Sequence, residues 1–163
     1  MKKLIILIVL TIISCESTQD RINIAEAEVN HIKNADYGKE LSANFDYEKK
    51  FKEEAKKFRF KDPDTLKFRN IKKPTKGFYG FFSNPYGTFR DYSLNKSNQN
   101  NRKYGYVVNG EINAKTEAGG YGGYDDYCLF IRNEKIIKFE ESFHCKITEK
   151  TIKELKDGMA KDK

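Results

Sequence analysis

The amino-acid sequence predicts an α+β fold: a small single domain with an antiparallel sheet of about four to five strands and one or two packed helices. Three observations lead there. A helical stripe at Tyr47, Phe51, Ala55 and Phe58 precedes segments whose apolar residues alternate with period two, and a second helical pattern closes the chain. Strands grouped beside a few helices, without the regular alternation of a parallel sheet, define the class. The third observation is size. Removing an amino-terminal leader of 14 residues from the 163 leaves about 149, enough for one modest core.

The leader opens the chain. Lys2 and Lys3 precede an apolar run from Leu4 to Ile13, then Ser14 and Cys15. A charged start, a short apolar stretch and a small residue before a cut form the pattern of an export signal over residues 1–14. The run is too short to span a bilayer, which takes roughly 20 apolar residues. Residues 15–44 read as a tether with some helical tendency. Ile22, Ala25, Val29 and Ile32 fall at helical spacing, but the stretch ends in the turn-rich Asn34-Ala35-Asp36-Tyr37-Gly38, so its helix needs the domain to hold it.

The globular domain is placed at 45–160. Asp46 caps the first helix, and the residue before Pro63 is pushed out of helical geometry, which stops it. Leu66, Phe68 and Asn70 alternate with charged neighbours as a half-buried strand; Lys72–Gly77 reads as a turn and Phe78–Phe82 as a second strand. Ser93–Arg102 is a polar loop. Strands return at Tyr104–Ala114 and Tyr127–Arg132, and a tight turn at Asn133-Glu134 leads to Ile136–Glu140. A helix from Thr148 presents Ile152, Leu155 and Met159, with either Thr148 or a Thr151/Glu154 capping box at its start.

The formal net charge is +7, about +5 without Lys2 and Lys3. The excess is local: twelve Lys or Arg face six Asp or Glu between Asp46 and Lys76. Such a run is either a solvated helix face or a surface for anionic headgroups or an acidic partner. Export disfavours a nucleic-acid partner. Cys128 and Cys145 are the two cysteines that follow Cys15, and an even pair in an exported chain reads as a disulfide. Two buried thiols, or a metal pair with His144, are the competing readings. No cysteine or histidine cluster has zinc spacing, so neither a metal nor a cofactor is expected.

Gly119 to Tyr127 is the candidate binding loop. Its glycines allow positive φ and close backbone approach, while Tyr121, Tyr124 and Tyr127 offer rings with polar tips, beside Asp125 and Asp126. The plainer reading is a strand-connecting bend whose tyrosines pack on the sheet. An acidic set of Asp125, Asp126 and Glu111 suggests, as the alternative function, an envelope hydrolase acting on cell-wall or glycan substrate.

Two resemblances add to this reading. Ile12-Ile13-Ser14-Cys15 resembles the bacterial lipobox, which implies a diacylglycerol on the Cys15 thiol and a mature chain that begins there. Multiple acyl chains make a lasting membrane anchor. Glu16 replaces the aspartate that retains Gram-negative lipoproteins in the inner membrane, which points to the outer membrane in such a host. Further on come Ala35-Asp36-Tyr37-Gly38, then Lys61-Asp62-Pro63-Asp64-Thr65-Leu66-Lys67-Phe68-Arg69. Val107 to Tyr124 follows, with Ile112-Asn113-Ala114-Lys115 and Gly119-Gly120-Tyr121-Gly122-Gly123. This ordered set is similar to a broad group of small exported bacterial proteins, many of them lipoproteins. Their pattern is Asp-Pro-x-Ser-x-x-Phe/Tyr-Arg, Val-Asn-Ala-Lys-Asn, Gly-Gly-Tyr-x-Gly and Arg-Asn-Gly. Here Thr65 stands for the serine, Thr116 for the second asparagine and Glu134 for the last glycine. The expectation is a lipid-anchored, non-enzymatic binding module of the cell envelope, with the membrane and an envelope protein or cell-wall component as partners.

Overall fold

The computed structural model describes residues 18–80 and 102–161. The leader and Cys15, most of the expected polar loop, and Phe81 and Phe82 lie outside the described residues. Three helices and six short strands follow one another: α1 (Thr18–Lys33), α2 (Tyr47–Lys57), a 3-10 turn (Pro63–Thr65), β1 (Lys67–Arg69), β2 (Thr75–Tyr79), β3 (Lys103–Asn113), β4 (Asp125–Arg132), β5 (Lys135–Glu141), a second 3-10 turn (Ser142–His144), β6 (Cys145–Ile147) and α3 (Thr148–Lys161). All strand pairs are antiparallel, in the order β5-β4-β3-β2-β6, with β1 pairing the far end of β3. The architecture is α+β as the sequence predicts, with three helices among the described residues where one or two are expected and six strands where about four to five are.

That additional helix is α1, and it is no free tether. Ile22, Ala25, Val29 and Ile32 form a buried stripe, and Val29 and Ile32 join Tyr37, Phe78, Tyr104 and Leu155 in one cluster. The short helix persists because α3 and the β2–β3 edge cover its apolar side. The membrane question gets one answer: no helix among the described residues is long and apolar enough to cross a bilayer.

α2 starts where its sequence says. The Asp46 carboxylate accepts from the Lys49 amide at 3.0 Å, a regular N-cap. It ends at Lys57, sooner than Pro63 requires, and Phe58 is the C-cap while still packing inward. Phe51 and Ala55 are fully buried against Val108, Ile112, Leu129 and Ile131. Lys49 and Lys50 pair with Glu53, Lys57 with Glu54, and Lys56 with Asp64, so the helix surface is a laced, solvated face. Two expected boundaries move. The Lys72–Gly77 turn is shorter, because Thr75-Lys76-Gly77 already pairs with β3. In α3 the Thr151 hydroxyl bonds back to the Ile147 carbonyl at 3.0 Å, so it is no cap.

The sheet is rolled. Three strand spacings of about 4.8 Å would hold β4 and β6 about 14 Å apart in a flat sheet. Instead Cys128 and Cys145 are joined by a disulfide with their Cα atoms 6.3 Å apart. The bond therefore crosses the inside of the curve, above a small cluster of Val107, Phe130 and Tyr79. Helix α2 covers the opposite face.

A polar clasp fixes the loop after α1. Arg132 reaches the Asp36 carboxylate at 2.5 Å and the carbonyls of Asp36 and Tyr104 at 2.6 Å. The Lys39 amide donates to Asn133 Oδ1 at 2.8 Å, and the Ser42 amide to Glu134 Oε1 at 2.9 Å. Asn133 and Glu134 both take positive φ (52° and 60°), as a two-residue hairpin turn demands. Glycine would suit position 134 better by conformation, and the Ser42 bond compensates for its replacement. Gly38, at φ 75°, leaves no room for a β-carbon, which would sit 2.5 Å from Asn133 Oδ1.

Candidate functional site

The loop between β3 and β4 begins from two strands that pair along Tyr106 to Ile112. It folds back on itself: the Thr116 amide donates to the Gly120 carbonyl at 2.7 Å and the Gly119 amide to the Thr116 carbonyl at 3.0 Å. Lys115 and Tyr121 form an isolated bridge. Gly119 (φ 85°) and Gly123 (φ 113°) supply the left-handed conformations, with open space where a β-carbon would be. Their role is conformational: among the described residues no heavy atom lies within 4 Å of a β-carbon built at either.

This loop is docked on the 61–69 segment. Lys115 pairs with Asp62 at 3.0 Å, and that hydrogen bond holds the Asp62 carboxyl below its ordinary pKa. Lys61 Nζ donates to the Glu117 carbonyl at 2.9 Å, and the Tyr121 hydroxyl to the Thr65 carbonyl at 2.9 Å. Lys67 Nζ stands 3.9 Å from the Tyr121 ring centre, and the Arg69 guanidinium 3.8 Å from that of Tyr124. Thr65 closes the 3-10 turn through its hydroxyl, bonded to the Asp62 carbonyl at 3.0 Å, which any hydroxyl residue here can do. The motif islands of the sequence are thus brought together, and what they do first is hold one another.

The five residues of the expected loop separate. Tyr121 is 40% exposed and Tyr124 half-buried under Arg69. Tyr127 is not presented to a partner: it is 8% exposed, stacks on Phe139 at 5.7 Å, and meets Phe58 and Phe60 edge-on. The reason is strand alternation, since Tyr127 lies opposite Gly110 on the face that α2 covers. Asp125 and Asp126 are the first two residues of β4 and point to opposite faces. Asp126 is the cross-strand partner of Glu111 and shares its face, whereas Asp125, opposite Ile112, is on the other, so two of the three acidic residues are brought together and the third is not. Glu111 accepts from Asn70 at 2.5 Å and from Arg69 at 2.6 Å, and these bonds hold its pKa below the ordinary value.

Sequence reasoning missed a cleft of about 390 Å³ at the mouth of the roll. Asn109, Glu111 and Asp126 line its sheet side, with Lys72 beside them through a bond from its amide to the Asn109 carbonyl at 2.8 Å; Lys146 of β6 and Lys150 of α3 line the rest. The side-chain oxygen of Asn109 is shielded from solvent and has no hydrogen-bond partner. Period-two alternation places Asn109, Glu111 and Asp126 on one face, but nothing local says that β6 and α3 come back over them. Among the described residues no group of three His, Cys, Asp or Glu side chains is placed to hold a metal ion.

Fold and site together define a small rolled-sheet α+β protein with an aromatic and cationic ridge leading into a polar cleft. Compared with protein-family models, curated proteins and solved structures, the chain matches none.

Proposed function

We propose that the protein is a lipid-anchored, non-enzymatic binding module of the cell envelope, held through acyl chains on Cys15. The leader, its cysteine and the paired cysteines beyond support the location. One observation carries the binding role. Lys67 over Tyr121 and Arg69 over Tyr124 form a ridge of positive tips and ring edges, Tyr121 is 40% exposed, and no described element covers it. Such a ridge suits an acidic envelope protein or an anionic cell-wall polymer, with rings giving contact area and cations giving orientation. Asp125 lies on the other face from Glu111 and Asp126, and Glu111 is engaged by Arg69 and Asn70, which takes support from the three-carboxylate hydrolase reading.

The test is photo-crosslinking from position 121 of the anchored protein in its host envelope, with position 52 on α2 as the control. A discrete adduct from 121 and none from 52 is the expected result. Equal, diffuse labelling from both positions removes the ridge as a binding surface.

A further inference from the structure

We infer that the cleft at the mouth of the sheet roll binds a small zwitterionic ligand of dipeptide size, its ammonium toward Asp126 and its carboxylate toward Lys150. The inference deepens the binding-module reading and rests on it.

The argument begins with the floor. Asn109 and Glu111 are alternate residues of β3, and Asp126 is the cross-strand partner of Glu111, so three acceptor side chains share one small area. Glu111 is already occupied by Asn70 and Arg69. The Asp126 side chain has no hydrogen bond or ion pair among the described residues and is exposed. Asn109, opposite Cys128, lines the same side; its side-chain oxygen is shielded from solvent and has no hydrogen-bond partner among the described residues, so a donor reaches it only if the floor shifts to admit one. The open Asp126 carboxylate on this side of the cleft therefore calls for an N–H donor, and an ammonium meets that need.

The opposite wall has the opposite sign. Lys146 of β6 and Lys150 in the first turn of α3 line it, while Lys72, whose amide donates to the Asn109 carbonyl at 2.8 Å, sits beside the floor and offsets part of its charge next to Glu111. Lys150 meets Glu154 only at 3.9 Å with both side chains well exposed, a weak pair that a carboxylate can displace. A ligand that is wholly anionic meets Glu111 and Asp126; one that is wholly cationic meets the lysines. A molecule carrying both charges a few ångströms apart satisfies each wall. The volume of about 390 Å³ lies at the small end of the ~300–1,000 Å³ typical of small-ligand pockets. The disulfide at Cys145 pins the β6 wall to the sheet, so the cleft is largely preformed.

The experiment is calorimetric titration of the full chain with alanyl-alanine, its N-acetyl form and its C-terminal amide. The zwitterion is expected to bind, and each capped form to bind at least tenfold more weakly. Asp126→Asn should weaken the zwitterion about tenfold while leaving the weaker binding of the N-acetyl form unchanged; Lys150→Gln should do the same with the amide as its insensitive partner. Both sites are on the surface, and an unchanged thermal melt confirms that each variant folds. No heat up to ~10 mM, a concentration that fills even a ~1 mM site, overturns the inference. Equal binding of all three compounds overturns it too. The crosslink from position 121 reads the ridge alone, so failure of the cleft and failure of the binding-module reading are told apart.

Discussion

Arg102 and Glu28 form an ion pair in which each side chain is only 3% exposed, joining the residue that enters β3 to the middle of α1. The Arg102 guanidinium also lies 5.2 Å from the centre of the Phe78 ring. A helix that the sequence presents as a tether is thereby locked into the core by a charge pair at its buried face. Removing one partner of such a pair leaves the other charged and desolvated. Glu28→Gln is expected to lower stability by about 3 kcal/mol in urea unfolding, and Glu28→Leu with Arg102→Met to recover most of that loss. A double variant no better than the single would show that hydrogen-bond geometry, rather than charge burial, holds α1.

Acid should loosen the clasp before the core. The Gly38 amide and then Arg132 hold the Asp36 pKa below the ordinary carboxylate value, and the Ser42 amide does the same for Glu134. A pKa depressed in the folded state contributes stability that is present above the unfolded value and lost as pH falls through the folded one. Melting temperature should therefore be flat near neutrality and fall below about pH 4. Asp36→Asn with Glu134→Gln should lower the neutral plateau and flatten the acid slope. An unaltered slope would mean that the clasp carboxylates do not contribute.

The Cys128–Cys145 bond closes 17 residues of sequence and holds β6 over the roll. On the chain-entropy argument it contributes about 3 kcal/mol, and its loss in Cys128→Ala/Cys145→Ala should lower the melting temperature by on the order of 10 °C. Reduction of the native protein should produce the same shift, and a reductant-insensitive melt would count against a bonded pair.

Tyr121 separates docking from recognition. Tyr121→Phe keeps the ring under Lys67 and loses the bond to the Thr65 carbonyl, a cost of at most about 1 kcal/mol at so exposed a site. Tyr121→Ala also loses the cation–ring contact, roughly 0.5–1 kcal/mol more. Amide exchange should show the 116–122 loop opening faster in that order while the Leu129–Ile131 core is unchanged. Core amides that exchange faster in Tyr121→Ala would make the loop a stability element first.

Much of the fold was legible because its signals are local. Asp46 and the 47-51-55-58 stripe mark α2, Asn133-Glu134 marks the tight turn, and two cysteines in an exported pattern mark a bond. α1 was harder, since Glu28 sits on the buried side and reads as polar surface until Arg102 arrives from far along the chain. Tyr127 misled because Tyr127–Ile131 is buried on both faces, and a continuous apolar run gives no alternation from which to read direction. The three motif islands were visible as a set, but their mutual docking through Asp62–Lys115 and Thr65–Tyr121 depends on pairings some 50 residues apart. Of the cleft only one wall had a signal, the alternation that puts Asn109, Glu111 and Asp126 on one face; the other meets it only when the sheet curls.

The anchored-binder account rests on Cys15, and intact-mass analysis of the product purified from its native host tests it most directly. The account predicts a chain that begins at Cys15 and carries a diacylglyceryl thioether with a further acyl chain on the new amino terminus. An unacylated polypeptide, full length or cut elsewhere, would contradict it.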